Sequence, residues 1–207
     1  MMDPSKLESM ITVSDFKKVS RYGLWLPHGW TDKAKPVGQE LALHPSLRAI
    51  FHDKISYKDT DQYRKMHHAV EQYLHGKVKR PSLAGAYWCR SYEDIDRYFE
   101  ILMGCYEDIR LNGYKSQTEL RQIDPTIVRS NLDEIKIAVD SQGKAIFIGK
   151  GGNHRFSIVR NLKIPVIPVI LVGVDKGWAR KNVTLKGYGS DAAYESVRLV
   201  VEELLRP

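Results

Sequence analysis

Cysteine is scarce in this chain. The two present, Cys89 and Cys105, exclude a disulfide framework, and two thiols alone do not make a four-ligand zinc site. Long apolar runs are missing as well: nothing comes near the roughly 20 residues that cross a bilayer. The first ten residues lack the basic-then-apolar layout of a secretory signal. There is no internal repeat and no low-complexity tract, which removes solenoids and compositionally biased linkers. No cluster of carboxylates is spaced for a two-metal site. These absences lead us to expect a soluble cytoplasmic protein with no membrane partner and no metal centre of its own.

What is present suits a globular fold. The chain has 207 residues, 43% of them hydrophobic, enough for one or two domains with a real core. Its net charge of +7 fits an anionic partner such as a nucleotide, a nucleic acid or a phosphorylated metabolite, although plain solubility explains it equally. The longest basic run, Lys77-Val78-Lys79-Arg80 before Pro81, is short and reads as a solvated loop before a nucleic-acid stripe.

Periodicity predicts several elements. Residues 22–30, with Trp25 and Trp30 among Gly and Pro, form an ordered, packed loop. Pro45 and Ser46 open a short helix through His52. Over residues 59–75, Tyr63, Met66, Val70, Tyr73 and Leu74 fall on one helical face, with Gly76 as a stop. The strongest helix begins after Ser91, a Ser N-cap followed by Glu93 and Asp94 in the first turn. Ile95, Phe99, Leu102, Met103, Tyr106 and Ile109 are its buried stripe, and Asn112-Gly113 ends it. Residues 114–120 read as a loop leading into a strand or turn. Residues 135–139 and 145–148 form a hairpin about the turn at 140–143. Residues 153–161 form a helix with Phe156, Ile158, Val159 and Leu162 inward. Residues 166–172 form a buried strand limited at its start by Pro165 and Pro168. Residues 194–205 form a last helix carrying Val197, Val200, Val201 and Leu204.

Gly149-Lys150-Gly151-Gly152-Asn153-His154-Arg155-Phe156 is the stretch that carries chemistry. A strand, a glycine turn and a helix start coincide there. The first N–H groups of a helix lack intrahelical partners and sit at the positive end of its dipole, so this is an anion site in outline. His154 and Arg155 add donors; the plainer alternative is a pair that caps a structural turn. Lys150 reaches a phosphate or lies solvated. Of the acids, Glu107, Asp108, Glu119, Asp133 and Glu134 are available as a base, a surface ion pair being the ordinary fate of each. Adjacent His67 and His68 point to different helix faces, so at most one joins any site. Trp88 and Trp178 stack a base or simply pack.

The order helix, Gly, hairpin, Gly-Gly-x-His-Arg helix, strand resembles the ParB/sulfiredoxin superfamily over about residues 98–172. Tyr106-Glu107-Asp108-Ile109-Arg110-Leu111-Asn112-Gly113 followed by Gln117 is similar to the ParB helix box. Residues 137–148 look like the hairpin before its phosphate loop. Gly151-Gly152-Asn153-His154-Arg155-Phe156, then Leu162-Lys163-Ile164-Pro165-Val166, is similar to the sulfiredoxin Gly-Gly-Cys-His-Arg box and to the Asp-Gly-His-His-Arg box of free-serine kinases. Trp88-Cys89-Arg90 also looks like an element of uncharacterised ParB-like proteins. The resemblance implies that Gly151, Gly152, Asn153, His154 and Arg155, with Lys115 and Ser116, hold nucleotide phosphates, Gln117 lying beside them. It also implies Glu107 and His154 as catalytic groups. Asn153 stands where sulfiredoxin has its cysteine, which removes sulfinic acid reduction. The tail after Val172 is too short for the helix-turn-helix domain of partition proteins.

The expected fold is therefore α+β: a ParB/sulfiredoxin-like small mixed sheet with packed helices at residues 91–207, after a mainly helical region at 1–90. The expected function is a Mg-dependent phosphotransferase using ATP or ADP, with CTP as a further nucleotide, on a small hydroxyl-bearing acceptor. The alternatives are a non-catalytic ParB-like regulator that binds a nucleotide or DNA, and a nuclease.

Overall fold

The computed structural model describes residues 1–19, 24–37, 43–81, 89–124, 134–149, 151–184 and 190–205. Among them are eight α-helices and six strands, so the chain is mixed α+β. No described helix is long and apolar enough to cross a membrane. The chain divides into two compact units. One consists of Met1–Glu40 with Tyr114–Pro207, the other of Leu41–Gly113. This division does not coincide with a boundary at residue 90. The N-terminal segment contributes strands to the sheet of the first unit, and the long helix after Ser91 belongs with the second.

The first unit is built on one mixed sheet. Its strands are β1 (Ser9–Thr12), β2 (Trp25–Leu26), β3 (Lys35–Pro36), β4 (Lys136–Val139), β5 (Ala145–Gly149) and β6 (Ile170–Asp175). Their order is β2-β6-β4-β5-β1-β3. The expected hairpin is β4 with β5, antiparallel, Lys136 facing Ile148. Its turn closes on the buried Asp140 carboxylate, which accepts from the amides of Gln142 and Lys144 at 2.8 Å each. β1 lies parallel to β5, with Thr12 opposite Gly149, and β6 is parallel to β4 and to β2. β6 starts later and runs further than periodicity indicates. Pro165 and Pro168 keep the preceding segment irregular, apart from a bridge between Ile167 and Met2.

Alternation along β5 sends neighbouring side chains to opposite faces. Ile146 and Ile148 join Ile11, Phe16, Leu26, Trp30 and Ala138 in one core cluster. Phe16 comes from α1 (Val13–Val19). Phe147, on the other face, meets Phe156 of α6 (Asn153–Asn161) at 4.2 Å between ring centres. Phe156, Ile158 and Val159 are fully buried as expected, while Leu162 is half-buried. Full burial of side chains such as these three stabilises by about 1.5–3 kcal/mol each. Residues 24–30 are packed, with Trp30 inside the core and Trp25 in β2; residues 22 and 23 lie outside the described set.

Two further helices complete the first unit's second half. α7 (Lys176–Asn182) is capped by Asp175, which takes the amides of Gly177 and Trp178. α8 (Ser190–Leu204) buries Val197 and Val201, whereas Leu204 is exposed.

The second unit is helical. It contains α2 (Leu43–Phe51), α3 (Asp61–Leu74) and α4 (Tyr92–Asn112). Thr60 caps α3, and its buried face is Gln62, Met66, Ala69 and Val70; Leu74, expected inside, is exposed. Ser91 and Asp94 form a reciprocal capping box at the start of α4, and Gly113 ends it at φ 76°. Ile95, Phe99, Leu102, Tyr106 and Ile109 are buried as expected, with Tyr98 added and Met103 only half-buried. Tyr57, Tyr63 and Lys58 converge on the Asp96 carboxylate at 3.4, 3.1 and 3.2 Å, tying α3 to α4 within this unit.

Candidate functional site

Strand β5 ends at Gly149, and the chain turns through Gly151 and Gly152 into α6. Both glycines have positive φ, 85° and 69°. Gly152 is sterically compelled as well. A Cβ there would lie 2.7 Å from the Glu134 carbonyl oxygen, and that oxygen belongs to backbone that cannot swing aside. So the glycine both takes the left-handed conformation and lets the helix start press against the segment leading into β4. Gly152 is the N-cap of α6, and no side chain caps that end. A nine-residue helix thus opens on bare backbone, with exposed His154 in its first turn. Asn153 is the first helical residue. Its Oδ1 is buried without a hydrogen-bond partner and lies 3.8 Å from where a Gly149 side chain would begin.

Arg155 corrects the expectation for this loop. Its guanidinium does not extend outward with His154 but turns into the protein. Arg155 is buried, and its Nη1 lies 3.3 Å from Glu134 Oε2, with both side chains 8% exposed. Nη2 donates to the Lys115 carbonyl. The guanidinium also sits 4.2 Å from the ring centre of Tyr114, within cation–π range. The physical reason is tertiary: the buried Glu134 carboxylate that meets it in space needs a cation.

Glu134 is the hub. Its Oε2 accepts the Tyr114 hydroxyl at 3.0 Å as well as Arg155, and its Oε1 accepts the Gln117 amide. Gln117 opens α5 (Gln117–Ile123), where Ser116 and Glu119 form a second capping box. Residues 114–120, expected as a loop leading into a strand or turn, are instead the lead-in to this helix and its first four residues. The Gln117 side chain is fully buried, and both its Oε1 and Nε2 lack partners. Sequence reasoning counted Glu134 among several acids and did not single it out. The available signal was its place: a carboxylate just before a fully buried strand.

The remaining expectations fall in several places. Lys115 contributes its carbonyl to Arg155. The Ser116 hydroxyl accepts from the Glu119 amide at 3.1 Å, so it is occupied as a cap. Hydrogen bonding of the Glu119 carboxylate to the Ser116 side chain and to the Ser116 amide, the latter at 2.7 Å, holds that carboxyl below its ordinary range. Glu107 lies on α4 of the second unit, half-exposed, its Oε2 2.7 Å from Arg110 Nε. His67 stacks on Tyr92 at 4.1 Å, and His68 is exposed beside Glu71. Trp178 is buried, with its Nε1 against Gly143. Burial pushes the Cys89 thiol up to about 11, with Asp94 adding to the effect. Lys150, Trp88 and Asp133 lie outside the described residues.

One cluster was not anticipated. β1 ends beside Gly149, and Thr12 there donates to Asp15 Oδ2 at 3.0 Å. Lys18 and Lys33 approach Asp15 Oδ1 at 2.9 and 3.6 Å. The Lys18 and Thr12 bonds hold the Asp15 carboxyl below its ordinary range. The strand register therefore brings a hydroxyl, a carboxylate and two exposed ammonium groups to the same strand ends as the glycine turn.

Among the described residues no group of three or more His, Cys, Asp or Glu is arranged to hold a metal. Mg²⁺ keeps several waters and binds through one or two carboxylates plus substrate phosphates. The donor set fits an ion that arrives with phosphates, with Asp15 as the carboxylate beside the turn, and does not fit a metal cage made by protein alone. No family model, no curated protein and no solved structure matches this chain.

Proposed function

We propose that the first unit binds the phosphates of a nucleotide, ATP or ADP with CTP as a further candidate, at the turn Gly151-Gly152 and the start of α6. One observation carries this reading: α6 opens on a left-handed glycine with no capping side chain. Capping boxes close the starts of α4 and α5. An N-terminus left bare, after two glycines of positive φ, offers N–H groups and a dipole to an anion. His154, exposed in the first turn, and the exposed Lys18 and Lys33 at the neighbouring strand end supply charge there. Arg155 lies inside, joined to the Glu134 carboxylate and the Lys115 carbonyl.

The chemistry we propose for the site is phosphoryl transfer to a small hydroxyl-bearing acceptor. Such transfer needs positioning, charge neutralisation and a carboxylate to take the acceptor's proton. Mg²⁺ bound with the nucleotide supplies neutralisation of phosphate charge. The carboxylate proposed as base within this unit is Asp15, which the strand register sets beside Gly149 through Thr12.

Titration with ADP, ATP and CTP, with and without Mg²⁺, tests the reading. Binding that weakens by roughly tenfold in His154→Ala is expected for loss of one charge-assisted contact. Failure of all three nucleotides to bind removes it. Binding without any hydrolysis or transfer favours a non-catalytic regulator over an enzyme.

A further inference from the structure

We propose that Glu134 is an internal stand-in for the ligand's phosphate: its carboxylate holds Arg155 in a closed arrangement that an anion at the glycine turn must open. The proposal rests on the phosphate-site reading and adds the regulation of that site.

Four observations carry it. The Cα of Arg155 is in the first turn of α6, so its guanidinium is rooted where a phosphate would sit, yet it is buried on Glu134. The Glu134 carboxylate receives what an anion site provides: a guanidinium, a phenol and a backbone amide at a helix start. The Arg155–Glu134 contact is one bond of 3.3 Å, longer than the 2.7–2.9 Å typical of a charge-assisted bond and short of the two-pronged pairing arginine makes with carboxylate or phosphate. Lastly, the closed arrangement leaves polar capacity unused. Gln117, whose amide is bonded to Glu134, keeps both side-chain polar atoms buried without partners. A fully satisfied structural network does not leave a buried carboxamide unpaired, because each such group costs its desolvation.

Glu134 opposes an incoming anion in two ways. It occupies the guanidinium that would otherwise meet the phosphate. It also sets a negative charge on the residue whose carbonyl abuts Gly152. A phosphate, with more charge and more acceptor oxygens than a carboxylate, makes the stronger partner for arginine. On binding it takes over Arg155, and the Glu134 carboxylate, no longer neutralised in the interior, turns out toward water and releases Tyr114 and the Gln117 amide. Glu134 is thus a positioning residue that sets the threshold for binding; it is not a catalytic one.

The test is the Glu134→Gln variant, an isostere without the charge, titrated with ADP and with inorganic phosphate beside the wild type. Affinity for ADP is expected to rise by roughly tenfold, the scale for removing one opposing charge. A pair that serves structure alone predicts equal or weaker binding, and that result overturns the proposal. Should the variant fail to fold, hydrogen exchange of the Gln117 amide in the wild type decides. Saturating ADP should speed it as Glu134 lets go, and unchanged or slower exchange overturns the proposal. If neither protein binds ADP or inorganic phosphate, the phosphate-site reading itself has failed and the latch falls with it.

Discussion

Helices α4 and α6 begin in opposite ways. α4 starts at Ser91, whose hydroxyl accepts the Asp94 amide while the Asp94 carboxylate returns to the amides of Arg90 and Ser91. Three amides there, those of Arg90, Ser91 and Asp94, are drawn into the protein's own side chains. α6 starts at Gly152, which has no side chain to offer. Its first turn instead carries one side chain outward, His154, and one inward, Arg155. A helix start closed by its own residues is a piece of architecture, whereas one capped by glycine gives up only roughly a few tenths of a kcal/mol and keeps its donors for something else. The difference teaches where to look for function in a fold with no bound ligand.

Three changes break or sharpen this contrast. The largest effect is expected from Arg155→Ala, which strands the Glu134 carboxylate in the interior. Leaving a buried charge uncompensated costs on the order of 3–5 kcal/mol, read as a drop in the denaturation midpoint, with Arg155→Lys losing less. A variant as stable as the wild type would show that Glu134 is not held by Arg155. Next comes Gly152→Ala. A φ of 69° and a Cβ 2.7 Å from the Glu134 carbonyl make it strained, at about 1–3 kcal/mol, and ADP binding should be lost with the turn's geometry. Unaltered ADP affinity in a folded variant would move the site elsewhere. The smallest effect belongs to Ser91→Ala, about 1 kcal/mol for a lost N-cap with no change in nucleotide affinity. Any affinity loss there would mean that the closed start also serves binding.

Much of the fold was legible in the sequence where signals are local. α3, α4 and α6 carry periodic apolar faces, and α4 adds a cap and a glycine stop. The hairpin β4–β5 has its turn between two apolar runs. Three kinds of feature were not legible. β2 and β3 are two residues long and owe their existence to partners far along the chain, so no local pattern marks them. α5 is a seven-residue helix whose one signal is the Ser116–Glu119 capping box, easily taken for an ordinary polar loop. The inward turn of Arg155 depends on Glu134 and Tyr114 meeting it in space, and spacing in the sequence says nothing of that. For the site, the glycine turn was readable because φ and backbone approach depend on residue type. The strand register that sets Thr12 and Asp15 beside Gly149 was not.

The first unit is written in two separated stretches, 1–40 and 114–207, with the second unit contained whole between them. During synthesis β1 therefore leaves the ribosome long before β5, the neighbour it lies against. The inserted helices are complete and free to assemble while the earlier strand still waits. Folding of a nascent chain usually proceeds from its beginning, but here the first strand's partner is made only after the whole inserted unit. Closure of the sheet beside the glycine turn has to wait until the chain has been made past Gly149.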